Sequence, residues 1–316
     1  MTDSRKRPRV FLPVFLCVLA LWTAYVLLDT FVIERRIETA AAAQTVSMRD
    51  AEGEDTPAAS QPAAPAEENG RAETAVTGDS WSSGSVSVAI TVERVGNTTV
   101  YVADVQLASA DQLKTAFADG TYGRNITDST SSIAASVNAV LAINGDFYGA
   151  QQAGYVIRGG ALYRSTAKKG AEDLVIYADG SFGIIREAEI TAQELLEQGA
   201  QDVLSFGPAL VENGEISVSA NDEVGRAKAS NPRTAIAVIG ELHYLFVVSD
   251  GRTEESEGLS LYELAAFLRD KGAQTAYNLD GGGSSTMVFD GRVVNNPTSG
   301  GRGTKERSVS DIVYVG

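Results

Sequence analysis

The sequence contains very few of the side chains on which many hydrolases and metalloproteins depend. Its 316 residues include one cysteine, Cys17, and one histidine, His243. A single cysteine excludes an intramolecular disulfide and a cysteine-based zinc site, and a single histidine excludes the His-Glu-x-x-His zinc motif. The Gly-x-Ser-x-Gly elbow of serine hydrolases and the Gly-Lys-Ser/Thr ending of a P-loop do not occur either. His243 begins an apolar run, so we interpret it as a strand residue rather than as part of a Ser-His-Asp triad.

The chain also has an excess of negative charge, with a formal net charge of −15. Residues 81 to 316 alone carry 18 basic and 29 acidic side chains. Such a field repels polyanions, so we expect no nucleic-acid partner. A small anionic ligand is still compatible with this charge, because a few local arginines dominate the field within a Debye length of about 8 to 10 Å.

One uncharged run, residues 10 to 28, is long enough to cross a membrane. As a helix it spans about 28 Å, close to the thickness of the hydrocarbon core. Four basic residues within positions 5 to 9 precede it, which predicts a single-pass cell-membrane protein with a cytoplasmic N-terminus and an extracytoplasmic domain. The alternative is a signal peptide cleaved within residues 40 to 43. Signal peptides have shorter apolar cores of about 7 to 15 residues, so the sequence favours an uncleaved signal-anchor.

The sequence divides into three parts. Residues 1 to 37 form the cytoplasmic tail and the transmembrane anchor. Residues 38 to 80 are rich in Ala, Glu, Thr, Ser and Pro and contain no aromatic residue, which predicts a disordered acidic linker. Residues 81 to 316 predict one folded domain.

Within this domain, strand-like runs alternate irregularly with helical segments, which predicts an α+β fold with a mixed β-sheet and a few helices. We predict strands at residues 85–95, 98–107, 174–178, 182–185, 234–239 and 243–248. We predict helices at residues 128–139, after the capping box of Thr191 and Glu194, and at residues 261–271, between the capping box of Ser260 and Glu263 and Gly272.

Asp-Gly pairs mark several turns of the domain. Asp179-Gly180 and Asp290-Gly291 lie between strand-like runs and predict two-residue hairpin turns. Asp119-Gly120 lies in a polar stretch and predicts a loop turn.

Three further acidic residues stand beside glycine where a predicted strand ends. These are Asp146, Asp250 and Asp280. If the three strand ends share one rim, three carboxylates gather over a concave surface. The sequence therefore predicts the site of chemistry at this rim.

The acid at position 280 opens the string Asp-Gly-Gly-Gly-Ser-Ser-Thr. Each glycine costs about 0.5 to 1 kcal/mol to order relative to alanine, so a chain uses several together where its backbone adopts positive φ or approaches a ligand closely. The backbone N–H groups of Gly281, Gly282 and Gly283 can form an anion-binding nest. The alternative is a tight corner packed on a neighbouring strand. The adjoining Asp280 and two serines favour the binding function.

Arginines at strand boundaries supply the complementary charge. Arg233 begins a strand, Arg252 follows Asp250-Gly251, and Arg307 precedes the final strand. A guanidinium group can bind phosphate or carboxylate through two parallel hydrogen bonds. Carboxylates, arginines, hydroxyls and a glycine nest together suit glycoside or phosphate-ester chemistry.

Five motifs, in this order, resemble those of the phosphodiester glycosidase family, and the resemblance spans residues 85 to 316. They are Ala-Ile-Asn-Gly-Asp-Phe-Tyr at 142–148, Pro-Arg-Thr at 232–234, Asp-Gly-Arg at 250–252, Asn-Leu-Asp-Gly-Gly-Gly-Ser-Ser-Thr at 278–286 and Glu-Arg-Ser-Val-Ser at 306–310. The long string at 278–286 is the most specific. Bacterial relatives are often given exopolysaccharide or cell-envelope roles, which agrees with an anchored outer domain. The cysteine-rich extensions of the animal enzyme are missing, so the identity of the sugar does not transfer.

The resemblance implies a glycosidase-type hydrolase that cleaves a sugar-1-phosphodiester, a phosphorylated glycan of the envelope or the extracellular space. It implies that Asp280 or Asp146 acts as nucleophile or base and that Asp250 is a further acidic site residue. The residues expected to bind substrate are Arg233, Arg307, Arg252, Asn144, Asn278, Gly281, Gly282, Gly283, Ser284 and Ser285. No cofactor is required for this chemistry, and a divalent metal such as calcium stays open because carboxylates and carbonyls are its ligands.

Two other functions fit the same sequence. One is a non-catalytic module that binds glycan or envelope material with the same fold, and the other is a partner-binding domain in envelope assembly. Turnover of a sugar phosphodiester separates the enzyme from both.

Overall fold

A computed structural model describes residues 11–37, 75–77, 79–222, 230–299 and 304–316. Its first element is helix α1 (Phe11–Phe31), in which the segment Pro13–Thr30 is long and apolar enough to cross a membrane. That segment is not buried against the rest of the chain. The predicted apolar helix is therefore confirmed, whereas its orientation stays a prediction because a signal sequence has the same character. Most of the predicted linker, residues 38 to 74, lies outside the described residues.

Three further helices belong to the folded domain, α2 (Thr130–Ser136), α3 (Ala192–Glu197) and α4 (Leu261–Asp270). Both predicted capping boxes are present, at the starts of α3 and α4. Helix α2 is shorter than predicted, because it ends where Asn138 takes a left-handed φ of 54°. Short 3₁₀ helices cover Ala110–Gln112, Ala118–Gly120, Tyr148–Ala150 and Gly282–Ser284.

Short strands make up most of the domain. In chain order they are β1 (Arg35–Arg36), β2 (Ala75–Thr77), β3 (Ser80–Ser82), β4 (Val86–Val95), β5 (Thr98–Leu107), β6 (Leu113–Phe117), β7 (Gly123–Arg124), β8 (Leu141–Asn144), β9 (Val156–Arg158), β10 (Ala161–Arg164), β11 (Glu172–Tyr177), β12 (Phe182–Arg186), β13 (Ala200–Leu204), β14 (Ala209–Glu212), β15 (Glu215–Ile216), β16 (Arg233–Gly240), β17 (His243–Ser249), β18 (Thr275–Asn278), β19 (Met287–Phe289), β20 (Arg292–Val293) and β21 (Asp311–Val315).

These strands form three large sheets in which the described strand pairs are antiparallel. The largest has the order β15-β14-β18-β16-β17-β5-β4-β3-β2. The two five-stranded sheets have the orders β10-β9-β13-β11-β12 and β20-β19-β8-β21-β6. Strand β1 pairs with β7 apart from these sheets. The predicted α+β fold with a few helices is confirmed.

One hydrophobic core joins the inner faces of the three sheets. It includes Ile236 and Phe246 from the nine-stranded sheet, Leu174 from one five-stranded sheet, and Ile143 and Val313 from the other. Each such side chain contributes about 1.5 to 3 kcal/mol relative to an exposed one. The three sheets therefore surround a common interior.

The opposite face of the nine-stranded sheet is covered by helix α4. Leu264 and Leu268 of the helix pack against Ala235, Val247 and Ala276 of the sheet. Strands β16 to β18 are thus buried on both faces. Because their middles are apolar, the polar groups of these strands collect at the strand ends.

Both predicted Asp-Gly hairpin turns are present, but only one of them has the predicted length of two residues. Asp290-Gly291 is a two-residue turn, since Phe289 pairs with Arg292 on either side of it. The turn at Asp179-Gly180 has three residues, because Tyr177 pairs with Ser181. Gly180 has φ +83°, the left-handed position that closes a three-residue hairpin loop.

His243 is the first residue of β17, as the sequence predicts. Its Nε2 lies 2.8 Å from Asp104 Oδ1 on the neighbouring strand.

The nine-stranded sheet also extends further towards the N-terminus than the predicted domain. Strand β2 falls inside the predicted linker, and β3 begins at its last residue. Val76 is opposite Trp81 in this pair, and Trp81 packs against the central core. Both strands are only three residues long, too short to produce an alternating pattern in the sequence.

Candidate active site

The ends of β8, β17 and β18 lie next to one another, as the sequence predicts. The N–H of Asp280, after β18, donates to the carbonyl of Gly145, after β8, at 3.2 Å. Gly251, after β17, packs so closely on Pro232 that a Cβ there would lie 2.6 Å from the Pro232 nitrogen. The carbonyl of Pro232 in turn accepts a hydrogen bond from Gly282 N–H at 2.8 Å. Three acid-bearing loops therefore share one rim.

Asp280 lies at this rim with 12% of its side chain exposed. Its Oδ2 accepts hydrogen bonds from Ser284 Oγ at 2.6 Å and from Arg307 Nη2 at 2.7 Å. Burial raises the pKa of Asp280, whereas the positive charge of Arg307 and the two hydrogen bonds lower it. Both of these bonds go to Oδ2, so Oδ1 is the oxygen that the described side chains leave for a ligand.

Arg307 lies over Asp280 and stays 43% exposed. Its Nε donates to Ser284 Oγ at 2.8 Å. The preceding residue, Glu306, is fixed at the start of α2, where its carboxylate accepts bonds from Ser131 N–H at 3.0 Å and Ser131 Oγ at 2.5 Å. A carboxylate is favoured at a helix N-terminus, so this contact holds the backbone that carries Arg307.

The glycine loop is shaped by close approach to its neighbours. Gly282 has φ +62°, and a Cβ there would lie 2.7 Å from Arg252 Nη2. A Cβ on Gly281 would lie 2.9 Å from the Pro232 carbonyl oxygen, and one on Gly283 would lie 3.7 Å from Arg307 Cδ. The loop is therefore flanked by two guanidinium groups, those of Arg252 and Arg307. Only glycine fits the left-handed position beside Arg252 without strain.

Arg252 is itself held in place. Its backbone has φ +63°, and its Nη2 donates to Asn231 Oδ1 at 3.0 Å. Since the side chain is otherwise exposed, the guanidinium group keeps further donors for an anion.

Asp146 lies deeper than Asp280, with 0% of its side chain exposed. Its Oδ1 accepts a bond from Tyr148 N–H at 2.8 Å. Its Oδ2 accepts bonds from Ser205 N–H at 2.9 Å and from Arg158 Nη2 at 3.1 Å. Both oxygens are thus engaged by the protein itself.

Arg158 and Asp311 complete this buried cluster, and neither is among the predicted site residues. Arg158 Nη2 lies 2.6 Å from Asp311 Oδ2. Burial and the charge of Asp146 raise the pKa of Asp311 to about 8, against the opposing effect of Arg158. Burial alone lowers the pKa of Arg158, but Asp146, Asp311 and Asp202 together raise it. The available signal in the sequence is a charged residue at one end of each of two otherwise apolar strands.

Asp250 contributes to the rim in a different way from the other two acids. Its Oδ1 accepts hydrogen bonds from Asn296 N–H at 2.8 Å and from Asn295 Nδ2 at 3.3 Å. Its Oδ2 accepts hydrogen bonds from Asn296 Nδ2 at 3.0 Å and from Tyr101 Oη at 3.3 Å. Burial, followed by the charge of Asp250, raises the pKa of Tyr101 to about 12. Asn295 Nδ2 also donates to the Ser285 carbonyl at 3.0 Å. Asp250 thereby holds a loop against the end of the glycine string.

Asn144 joins the strand ends rather than facing outward. It is fully buried, and its Nδ2 donates to the Asp280 carbonyl at 2.5 Å. Its Oδ1 accepts bonds from Thr234 Oγ1 at 2.8 Å and Thr286 N–H at 3.2 Å. This one amide therefore links β8, β16 and both ends of the glycine string.

Asn278 and Ser285 are also buried close to the rim. Asn278 Nδ2 donates to the Gly207 carbonyl at 2.8 Å. Among the described residues, no partner is found for Asn278 Oδ1 or Ser285 Oγ. Unsatisfied buried polar atoms are uncommon in proteins, and both atoms belong to predicted substrate-binding residues.

Arg233 begins β16 and is 3% exposed. Its N–H donates to Ser249 Oγ at 2.9 Å, and its Nε donates to the Leu259 carbonyl at 2.8 Å. The backbone of Arg233 also lies next to the glycine loop, 3.7 Å from where a Cβ on Gly281 would stand. Its position beside Gly281 agrees with the predicted proximity, and its role stays a prediction.

Within the described ranges, no group of three or more His, Cys, Asp or Glu side chains has an arrangement that could hold a metal ion.

A model of the phosphodiester glycosidase family matches residues 137–316, more than half of the chain. The chain belongs to the phosphodiester glycosidase family. The match includes the acid-bearing rim, the glycine string and Arg307, so this resemblance is confirmed.

Individual relatives agree with this assignment. The mouse N-acetylglucosamine-1-phosphodiester alpha-N-acetylglucosaminidase is 32% identical over 139 residues, which cover 38% of this chain and 27% of the mouse protein. A prophage-derived protein of Bacillus subtilis is 27% identical over 199 residues, covering 61% of this chain and 30% of the relative. The chain thus spans less than a third of the length of these curated relatives.

Two solved structures share the fold. The catalytic domain of the zebrafish N-acetylglucosamine-1-phosphodiester alpha-N-acetylglucosaminidase superposes with a TM-score of 0.58 at 21% identity, covering 73% of this chain and 82% of that one. A Synechocystis protein superposes with a TM-score of 0.57 at 17% identity, covering 74% of this chain and 62% of that one.

Proposed function

We propose that this phosphodiester glycosidase hydrolyses a sugar-1-phosphodiester, with Asp280 as the reacting carboxylate. The observation that carries the proposal is the arrangement of Asp280, Arg307 and the glycine loop at one solvent-facing rim. In the reaction, a water oxygen becomes bonded to the anomeric carbon and the bond between that carbon and the phosphate oxygen breaks. The electron pair leaves with the phosphate, a water proton is released, and the products are a free sugar and a phosphomonoester.

The roles of the arginines and of the carboxylate follow from the chemistry of the leaving group. A phosphate leaves readily, so the larger tasks are to stabilise an oxocarbenium-like centre and to hold the anion. Arg307 and Arg252, on the two sides of the glycine loop, suit the anion. A carboxylate beside the anomeric carbon suits the positive centre, either as nucleophile or as base.

Burial distinguishes the two candidate carboxylates. The Asp146 side chain is 0% exposed, and both of its oxygens accept hydrogen bonds from Tyr148, Ser205 and Arg158. Asp280 is more exposed, and the two side chains bonded to it share Oδ2. We therefore assign the reacting role to Asp280 and a positioning role to Asp146. In the same way, Asp250 and Asn144 position the loops that carry the site.

The proposed location of the domain is inferred from helix α1 and from the proposed substrate. With α1 as a membrane span and a cytoplasmic N-terminus, the domain faces outward, where phosphorylated glycans of the envelope are accessible. The substrate would then be an envelope or extracellular sugar phosphodiester.

Turnover tests this function directly. The full chain in detergent is incubated with sugar-1-phosphodiesters, beginning with N-acetylglucosamine 1-(methyl phosphate), and free sugar is measured. We expect Asp280→Asn to lower kcat/KM by about 10² to 10³-fold. The matched control is Asp290→Asn, in an exposed turn. Saturable binding without product in the unaltered chain would instead identify a glycan-binding module.

A further inference from the structure

The segment that follows helix α1 is bound to the folded domain. Strand β1 pairs antiparallel with β7. On the two sides of this pairing, Ile37 N–H donates to the Tyr122 carbonyl at 3.3 Å, and Asn125 Nδ2 donates to the Ile33 carbonyl at 3.0 Å. Contacts to the domain thus begin at Ile33 and end at Ile37.

The domain surface is shaped for this segment. A Cβ on Gly123 would lie 2.2 Å from the Arg35 carbonyl oxygen, so only glycine permits the approach. The Arg35 side chain in turn contacts the carboxylate of Asp29, which belongs to α1. Arg35 therefore connects the end of the helix to the domain.

This docking surface is close to the candidate active site. Asn125 N–H donates to the Gly149 carbonyl at 3.3 Å, and the rings of Tyr122 and Tyr148 stack with centroids 5.4 Å apart. Tyr148 N–H donates to Asp146 Oδ1. Two hydrogen-bonded backbone steps of about 5 Å separate β1 from Gly149, so this turn, which follows Asp146, lies roughly 10 Å from the docked segment.

The docking limits the distance between the helix and the domain. Arg35 follows the end of α1 at Phe31 by four residues, which span at most about 14 Å when extended. The docked segment, and not the length of residues 38 to 74, therefore sets that distance.

We propose that residues 33 to 37 hold the active site against the membrane surface, so that its substrate is a sugar phosphodiester whose phosphate is attached to a membrane lipid. This inference rests on the proposed function and on α1 as a membrane span. The phosphate of such a lipid lies in the headgroup layer, which adds about 5 to 8 Å beyond the hydrocarbon core. The four-residue connection of at most about 14 Å keeps the domain next to that layer.

Disulfide trapping tests the docking in the full chain in phospholipid vesicles. Arg35→Cys and Arg124→Cys are combined in a Cys17→Ala background, with a site-specific protease sequence inserted in the linker. Opposite positions on paired strands have Cβ atoms about 5 Å apart, within disulfide reach. We expect this pair to cross-link at least tenfold faster than Arg35→Cys with Arg186→Cys on the exposed edge strand β12. Equal rates for the two pairs would overturn the docking.

Substrate preference tests the second half of the proposal. The double variant Arg35→Pro with Arg36→Pro removes two arginine charges and two backbone N–H donors from β1. The double variant Arg35→Ala with Arg36→Ala removes the same two charges but keeps the backbone donors. Against a long-chain alkyl-phosphate sugar embedded in the vesicles, we expect the proline variant to be at least fivefold slower than the alanine variant. Against a soluble methyl-phosphate sugar, the two should be equal.

The outcomes separate the two proposals. Equal rates of both variants on the embedded substrate would refute the lipid-attached substrate. No turnover of either substrate by the unaltered chain would refute the proposed function, while the cross-linking rates would still decide whether the segment docks.

Discussion

Arg307 Nη2 lies 2.7 Å from Asp280 Oδ2, yet 43% of the arginine side chain stays in contact with solvent. Both residues bond to the same hydroxyl, Ser284 Oγ. Because Arg307 keeps donors facing solvent, the proposed function gives it the role of an anion-binding group beside the carboxylate.

Removing the arginine should affect both binding and the ionisation of the acid. We expect Arg307→Ala to lower kcat/KM by about 10²-fold or more, because a charge-assisted contact to the phosphate is lost. Arg307 lowers the pKa of Asp280, so that pKa rises when the arginine is removed. The acidic limb of the pH–rate profile should therefore move to higher pH. The pH–rate profile of the variant measures this shift. Arg269→Ala, which breaks an exposed ion pair with Asp270, is the control, and an unmoved acidic limb in Arg307→Ala would contradict the account.

Two glycines with left-handed backbone conformations give a matched pair of variants, one in the glycine loop and one in the turn between β19 and β20. Gly282→Ala places a Cβ 2.7 Å from Arg252 Nη2 at φ +62°, whereas Gly291→Ala has φ +71° and meets nothing within 4 Å. The backbone strain is similar, about 1 kcal/mol in each. We expect Gly282→Ala to lose at least tenfold in kcat/KM and Gly291→Ala to lose less than twofold. Equal activities would show that the contact with Arg252 is not needed.

The buried cluster of Asp146, Arg158 and Asp311 predicts an effect on stability. Asp146→Asn leaves Arg158 buried with one fewer negative partner, and breaking a buried ion pair costs about 3 to 5 kcal/mol. Since Asp311 stays beside Arg158, we expect the free energy of unfolding to fall by about 3 kcal/mol. Urea denaturation measures this, with Asp290→Asn as the control. A change below about 0.5 kcal/mol would mean that Asp146 is not structural.

A buried acid predicts a loss of stability with rising pH. Burial, followed by the neighbouring Glu187 carboxylate, raises the pKa of Asp173 to about 9. The Asp173 carboxyl group therefore holds a proton in the folded state that the unfolded chain releases near pH 4, so its contribution to stability is full below about pH 4 and is lost as pH rises towards 9. Asp173→Asn stays neutral throughout.

The comparison of Asp173→Asn with the unaltered chain tests this pH dependence. Between pH 6 and pH 9, the urea midpoint of the unaltered chain should fall more than that of the variant. Parallel curves for the two proteins would contradict the protonated state of Asp173.

Local features of the site and fold could be predicted from the sequence because each depends on residues close together in the chain. Thr191 with Glu194 marks a helix start, and Asp290-Gly291 marks a hairpin turn. The sequence predicts that the loops carrying Asp146, Asp250 and Asp280 meet if their strand ends share one rim, and the contacts between these loops meet that condition.

Long-range partners could not be predicted in the same way. Arg158 meets Asp311 across 153 positions of sequence, and only the packing of two sheets brings them together. The direction of the Asp250 carboxylate depends on Asn295 and Asn296, which give no pattern of their own. Periodicity reports which face of a strand is buried, but not which distant polar group completes its hydrogen bonds.

The most direct test of the central claim is the position of bond cleavage. Hydrolysis of N-acetylglucosamine 1-(methyl phosphate) in water enriched in oxygen-18 is followed by mass spectrometry of both products. Attack at the anomeric carbon places the label in the sugar and leaves the methyl phosphate unlabelled. Label in the methyl phosphate would mean attack at phosphorus, and the chain would then be a phosphodiesterase and not a glycosidase.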